Sequence, residues 1–309
     1  MASKQEKRQS ESRAPKDSHP KSLPTNPRIL VPLDGSAQSL AALPVARGLA
    51  ELLEGSLHLV YVAERLVPAR EALSAVGLQP EQARGTVLQS VAGPPATSIV
   101  RLAQEWESVV IVLCTHTGTA EGAKELGAVA EEVLRQASCP VVLVRPQLTL
   151  ETWAVRRILL PHDGTPTAAG AIGPAADLAG RARAELVVLH VAALGVNRPV
   201  ERGTMTGPRY VDQRQHEWPA WGREFLARVR ALGKLPTELE LRLILATGEP
   251  GDAIVRTATE HHSDLIVLAW QGRWESGRAA TLKQVIATAP CPVLIVRVGQ
   301  RDDARPMKG

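Results

Sequence analysis

The chain has 309 residues and a formal charge of +4, with 44% apolar but only 3% aromatic residues, among them a single Phe. That length fits two domains of ordinary size, and cores made of Val, Leu, Ile and Ala suit parallel strands covered by helices. No apolar run approaches the ~20 residues of a bilayer span and the N-terminus has no signal-peptide apolar stretch, so a cytoplasmic protein without a membrane partner is expected.

Residues 1–28 contain seven basic and three acidic residues and so carry the whole charge surplus. The remainder is balanced, which argues against a nucleic-acid surface. Residues 1–27, rich in Ser, Lys and Pro, read as a disordered tail that is solvated rather than bound to an anionic partner. Residues 299–309 read as a second polar tail.

Between the tails, short apolar runs alternate with helical patterns. Strands are expected near 28–33, 57–62, 86–92, 109–114 and 140–145, with helices near 39–53, 96–106 and 127–137. The stretch 65–85 is only weakly helical. Residues 147–156, which include Trp153, read as a linker. Beyond it come strands near 157–161, 186–191, 239–246, 264–269 and 292–297, and helices near 167–181, 211–232, 250–261 and 279–288. Strands alternating with helices imply right-handed crossovers and a doubly wound α/β fold. Pro44 and Pro174 each fall inside the first helix of a series, where a kink or a late helix start is expected.

The two series are copies. Arg28-Ile-Leu-Val-Pro-Leu-Asp34 followed by Gly-Ser returns as Arg157-Ile-Leu-Leu-Pro-His-Asp163 followed by Gly-Thr. Cys139-Pro-Val-Val-Leu-Val-Arg145 returns as Cys291-Pro-Val-Leu-Ile-Val-Arg297. A repeat unit this long is a domain, so the chain is a tandem duplication with domains at 28–146 and 157–298. The copies differ in length. Asp34 to Gly93 spans 59 residues against 85 from Asp163 to Gly248, an excess placed around 195–236 with Trp218, Trp221 and an amphipathic helix. Gly93 to Cys139 spans 46 residues against 43 from Gly248 to Cys291, a loss placed in the loop after the fourth strand.

Open parallel sheets bind ligands beyond the carboxyl ends of their strands, where strand order reverses. Asp34 or Asp163 ends the first strand there; its carboxylate either accepts hydrogen bonds from a ribose or base, or caps the Asp-Gly turn. The loop from Cys114 contains Gly118 and Gly122 and leads through Gly127 into a helix, whose N-terminal amides suit a phosphate. The cysteines Cys114, Cys139 and Cys291 read as small buried residues, and His261-His262 as a solvated pair at a helix end. No spacing points to a metal site.

The joint order of several segments resembles the universal stress proteins over almost all of 28–297. They are Val31-Pro-Leu-Asp-Gly-Ser36, Gly93-Pro-Pro-Ala96, Val112-Leu-Cys-Thr-His116, Gly127-Ala-Val-Ala-Glu-Glu-Val-Leu134 and Ser138-Cys-Pro-Val-Val-Leu-Val144. The second copy adds His190-Val191, Gly248-Glu-Pro-Gly-Asp-Ala-Ile254 and Ala289-Pro-Cys-Pro-Val-Leu-Ile-Val296. The resemblance implies two tandem doubly wound five-stranded parallel-sheet domains of the adenine-nucleotide alpha-hydrolase-like type. It also implies that their last strands, 140–145 and 292–297, pair antiparallel in an intramolecular pseudo-dimer, covering two sheet edges.

Some members of that family bind ATP through a Gly-x2-Gly-x9-Gly-(Ser/Thr) loop. Here the four positions fall on Cys114, Thr117, Gly127 and Ala128, so one matches while the spacing is kept. The hydroxyl missing at Ala128 is worth about 1–2 kcal/mol of affinity. In the second copy the positions fall on Ala269 and Gly272, and the spacing then shrinks to Ala279-Ala280. Trp270, Gln271, Arg273 and Trp274 stand in that loop; they either fill the pocket or stack on another ligand, and filling is the reading adopted.

The resemblance therefore implies a stress-response module that takes ATP or another adenine nucleotide through the first domain. Pro32, Asp34 and Val62 would hold adenosine, with Thr115, His116, Thr117, Gly118, Gly127, Ala128 and Val129 toward the phosphates. Asp163, Val191 and Gly272 are weaker counterparts in the second domain. His116 has no evident catalytic partner and reads as loop-shaping; no catalytic residue is assigned. The alternative is a nucleotide-free scaffold, with 195–236 as the site for an unknown protein partner. A slow ATP hydrolase ranks below both, and further association of chains into a homo-oligomer is left open.

Overall fold

The computed structural model describes residues 26–116, 126–192, 201, 203–205, 217–272, 274 and 277–299. The tail expected over 1–27 lies outside them except for its last two residues, and that of 299–309 except for its first. The first half runs β1 (Arg28–Leu33), a 3-10 turn (Ser39–Ala41), α1 (Ala42–Leu53), β2 (Ser56–Ala63), α2 (Ala69–Ala75), β3 (Thr86–Ala92), α3 (Pro95–Glu105), β4 (Val110–Cys114), α4 (Ala128–Gln136) and β5 (Val141–Val144). The second half runs β6 (Arg157–Pro161), α5 (Pro166–Ala169), α6 (Ile172–Ala182), β7 (Glu185–Ala192), α7 (Glu217–Gly233), β8 (Leu241–Thr247), α8 (Pro250–Glu260), β9 (Leu265–Trp270), α9 (Gly277–Thr288) and β10 (Val293–Arg297).

Both halves share one ten-stranded sheet in the order β3-β2-β1-β4-β5-β10-β9-β6-β7-β8. Neighbours within each half are parallel. At the centre β5 and β10 are antiparallel, with Leu143 opposite Val293, Val142 opposite Leu294 and Val141 opposite Ile295. The pairing through the last strands is as expected. β4 and β5 are buried at every residue, as parallel strands covered on both faces must be. Successive residues point to opposite faces. Val142, Val144, Leu294 and Val296 therefore join one core, and Leu143, Val293 and Ile295 the other. Each core contains residues of both halves.

The two prolines set where helices begin. Pro44 is the third residue of α1 and Pro174 the third of α6, positions whose N–H groups have no helical acceptor in any case. The single helices expected over 39–53 and 167–181 are consequently each split into a short turn and a later helix.

The linker expected over 147–156 is a packed strap rather than a tether. Trp153 and Val155 are buried in the first core, and the Trp153 indole N–H donates to Asp264 O at 3.0 Å. One Asp264 carboxylate oxygen accepts from the backbone N–H groups of Arg156 and Arg157 at 2.7 and 2.9 Å. On α1, a Cβ at Gly48 would lie 2.3 Å from Trp153 O, so only glycine admits the strap at this distance.

The repeated Cys-Pro-Val segments end in arginines that cross between the halves. Arg145 donates to Ala289 O, just past α9, at 2.9 Å. Arg297 donates to Arg135 O and Ala137 O, at the end of α4, at 2.6 and 3.3 Å. Each cation thus sits on the negative end of a helix in the other half.

The insertion is also integral. α7 buries Trp221, Phe225 and Val229 in the first core, beside β8 and α6 and against His190 of β7, so its described part is a cover and not an arm. Residues 193–200, 202 and 206–216 of that region lie outside the described residues.

Candidate functional site

In each half the strand order reverses between the first and fourth strands, β1 and β4 or β6 and β9. The carboxyl ends of those pairs mark the crevice where such sheets accept ligands. At the end of β1, Asp34 Oδ1 accepts from the Ser36 N–H at 2.9 Å and the Ser36 hydroxyl at 2.6 Å. At the end of β6, Asp163 Oδ1 accepts from the Thr165 N–H at 3.0 Å and its hydroxyl at 2.5 Å. The turn-capping role left open by the sequence is therefore filled by one oxygen of both aspartates.

The first-half loop is anchored at both ends. Buried Thr115 donates its N–H to Val144 O at 2.9 Å and accepts from the Gly127 N–H at 2.8 Å. Its hydroxyl meets His116 Nδ1 at 3.1 Å, and the Cys114 thiol donates to His116 O at 3.2 Å. His116 thus has the local contacts of a loop-shaping residue. Gly127 caps α4, and Ala128 and Val129 form the exposed first turn of that helix. Half-buried Pro32 and Val62 lie on β1 and β2, opposite Val60 and Val91 respectively. Thr117 and Gly118 lie outside the described residues.

In the second half, the crevice is a cavity of about 330 Å³. Asp163 and Val191 line it, whereas Gly272 is not part of its wall. Gly272, the counterpart of Thr117, has φ +81°, in the region that favours glycine, and faces the Arg297 guanidinium. The loop between β9 and α9 is cut to residues 271–276, against 115–127 between β4 and α4, because three residues are missing, β9 runs one residue further and α9 starts three residues earlier relative to the Cys-Pro segment. Ala279 and Ala280 consequently lie inside α9 and not at its cap. Trp270 is 3% exposed and belongs to the cavity wall; Trp274 packs on it at 4.7 Å between ring centroids. Trp270 and Trp274 thus occupy part of the crevice, as expected of residues that fill it, and among the described residues open volume remains beside Trp270. Arg273 lies outside the described residues.

Behind Asp163 lies a group that the motifs named only in part. His190 Nδ1 pairs with His162 O at 2.9 Å, and the Gly164 N–H donates to His162 Nδ1 at 2.9 Å. Both imidazoles are buried against Phe225, and His190 also packs on Trp221 at 4.7 Å. Burial holds the His190 pKa below its ordinary 6.5, with the His162 carbonyl and Asp163 pulling the other way. A histidine with a depressed native pKa is protonated first in the unfolded chain, so its linkage removes stability as pH falls below about 6.5. His190→Asn, which does not titrate, should flatten the acid side of the Tm-against-pH profile; an unchanged slope would assign that acid loss elsewhere.

The three thiols are free, and burial pushes Cys114 and Cys139 up to about 11 and Cys291 up to about 12. Such thiols are inert as nucleophiles at neutral pH. Among the described residues, no group of three or more His, Cys, Asp or Glu is placed to hold a metal, and no helix is long and apolar enough to cross a membrane.

Comparison with known proteins agrees with this architecture. The model of the universal stress protein family matches residues 68–145 and 154–297. Universal stress protein YxiE of Bacillus subtilis is 32% identical over 151 residues, covering 46% of this chain and 98% of its own length. Universal stress protein MJ0531 of Methanocaldococcus jannaschii is 29% identical over 138 residues, covering 38% and 81%. Among solved structures, the functionally unknown protein PA1789 of Pseudomonas aeruginosa aligns with TM-score 0.62 and 22% identity over 88% of this chain and 93% of that one. A universal stress protein of Archaeoglobus fulgidus aligns with TM-score 0.60 and 18% identity, over 87% and 98%. At these identities the structural likeness establishes the fold.

Proposed function

Because this chain belongs to the universal stress protein family and carries two of its domains, we propose that it is a cytoplasmic stress-response module that binds ATP or another adenine nucleotide in its first half. We place the modules at 28–146 and 157–298, with the packed strap between them. The observation that carries the reading is the bond from the Gly127 N–H to Thr115 O at 2.8 Å. It holds the N-terminus of α4 beside the carboxyl end of β4, next to the strand-order reversal.

The residues present fit a nucleotide. The N–H groups of the first turn of α4, which have no acceptor within their own helix, are donors for phosphate oxygens, and Asp34 stands across the reversal as an acceptor for a sugar or base. The module acts by binding, with no catalytic chemistry of its own.

Titration calorimetry with ATP on the full chain and on Asp34→Asn tests this. Asparagine keeps an Oδ1 acceptor for Ser36, so the turn survives while the charge is removed. A hydrogen bond to a charged group contributes about 1.5–3 kcal/mol, so binding should weaken at least about tenfold. No heat from the folded wild-type chain would favour a scaffold that acts through its surfaces. Phosphate release above the rate without protein, slowed in Asp34→Asn, would identify a hydrolase.

A further inference from the structure

We propose that the insertion in the second half is an acid-released cover, held shut while His162 and His190 are neutral and detached when they take up protons. This concerns a moving part of the fold and stands apart from the nucleotide reading, which concerns the first half.

The described parts of the insertion are residues 201, 203–205 and α7, and both ends of it rest on the two imidazoles. At one end, His162 Nδ1 accepts from the Gly164 N–H at 2.9 Å, and Gly164 O in turn accepts from the Met205 N–H at 2.9 Å. A Cβ at Gly164 would lie 2.4 Å from Met205 O, so the turn and the insertion touch backbone to backbone. Alongside, Glu201 Oε2 accepts from the Thr167 N–H at 3.1 Å. At the other end, Trp221 and Phe225 of α7 close over His190, and Phe225 also meets His162 edge-on. Arg228 of α7 donates to Gly203 O at 2.6 Å and ties the two ends together.

This arrangement requires neutral rings. An imidazole nitrogen that accepts a hydrogen bond carries no proton, so protonated His162 would turn a donor toward the Gly164 N–H and break the turn that holds Met205. His190 donates from Nδ1 to His162 O, so the further proton of its charged form goes on Nε2 and places a buried cation beneath α7. Burial opposes that charge more than the His162 carbonyl and Asp163 favour it. Among the other charged groups, Asp163 and Glu201 already accept backbone N–H groups, and Arg223, Glu224 and Arg228 of α7 are exposed. Asp177 and Arg181 of α6 pair with each other, and Glu185 pairs with Arg157 and Arg242 at the opposite, amino ends of β6, β7 and β8. A histidine held neutral when closed and titrating near its ordinary value of about 6.5 when open favours closure above that pH and opening below it.

Hydrogen exchange of the full chain, read by mass spectrometry at pH 7.5 and 5.0 and corrected for the intrinsic exchange rate, tests this. Residues 217–233 should lose protection about tenfold or more at pH 5.0, while α4 in the first half keeps its own. In His162→Asn/His190→Asn the side chains retain an acceptor for Gly164 and a donor for the carbonyl of residue 162 but do not titrate. That chain should hold α7 equally at both pH values. Glu201→Gln removes a carboxylate that could also respond to acid, and it should release α7 as the wild-type chain does. Unchanged protection of 217–233 in the wild-type chain at pH 5.0 overturns the proposal, and this measurement needs no variant to fold. Equal loss in α4 also overturns it, since acid would then be unfolding the whole chain. So does release that persists in the double variant or vanishes in Glu201→Gln.

Discussion

Phe225→Ala should destabilise the chain by about 3–5 kcal/mol, the largest loss expected from any single truncation considered. Phe225 is the only phenylalanine and is 2% exposed. Its ring stacks on Trp221 at 4.7 Å and 26°, meets His162 edge-on at 5.4 Å and 89°, and leans on His190 at 5.2 Å and 58°. Alanine would leave a void beside two imidazoles whose exclusion from water depends on that ring. α7 would then lose its main anchor on the sheet face. Urea unfolding gives the stability change, and limited proteolysis within 217–233 reports release of the helix. Phe225→Leu should restore much of the loss, because it returns most of the apolar volume. A change below about 1 kcal/mol in Phe225→Ala would show that the helix is not held in this way. The same packing rules out deletion of 195–236 as a harmless test of a partner site, since the deletion would strip a sheet face.

Leu294→Ala should cost about 2–5 kcal/mol and lower the unfolding midpoint of both halves together. Leu294 is 3% exposed and faces Val142, itself 1% exposed, across the antiparallel seam. The core that contains them runs from α1 and the Trp153 strap in the first half to α6 and α7 in the second. A contact shared by both halves stabilises both, so one cooperative transition should persist at lower denaturant. Fluorescence of the six tryptophans and far-UV circular dichroism should report the same midpoint. Two separated transitions, with only one moved by the substitution, would show that the halves unfold independently and that the seam is only a docking contact.

Most of the fold was legible because its signals are local. Apolar runs such as 109–114 and 140–145 became β4 (Val110–Cys114) and β5 (Val141–Val144), displaced by a residue at their ends. The duplicated segments identified both domains and, through the family resemblance, the seam between them. Pro44 and Pro174 announced late helix starts because a missing N–H acts at its own position. The candidate site was legible to a lesser degree. Asp34, Thr115 and Gly127 were named, and their mutual arrangement required the fold. The shortened loop was recognised by counting, but the early start of α9 inside it was not.

What the sequence alone determined is therefore the architecture: two copies of one doubly wound unit, the position of each crevice, and the loop in which the copies differ. Tertiary structure alone decided what the crevices contain. Gln271 reaches Thr167 across 104 positions, Arg145 reaches Ala289 across 144, and Trp153 reaches Asp264 across 111. Alternation, prolines and repeats act over a few residues and leave a mark wherever the chain is read. The space left beside Trp270, and the rings that close over His190, depend on side chains brought together only when the sheet and its helices have packed.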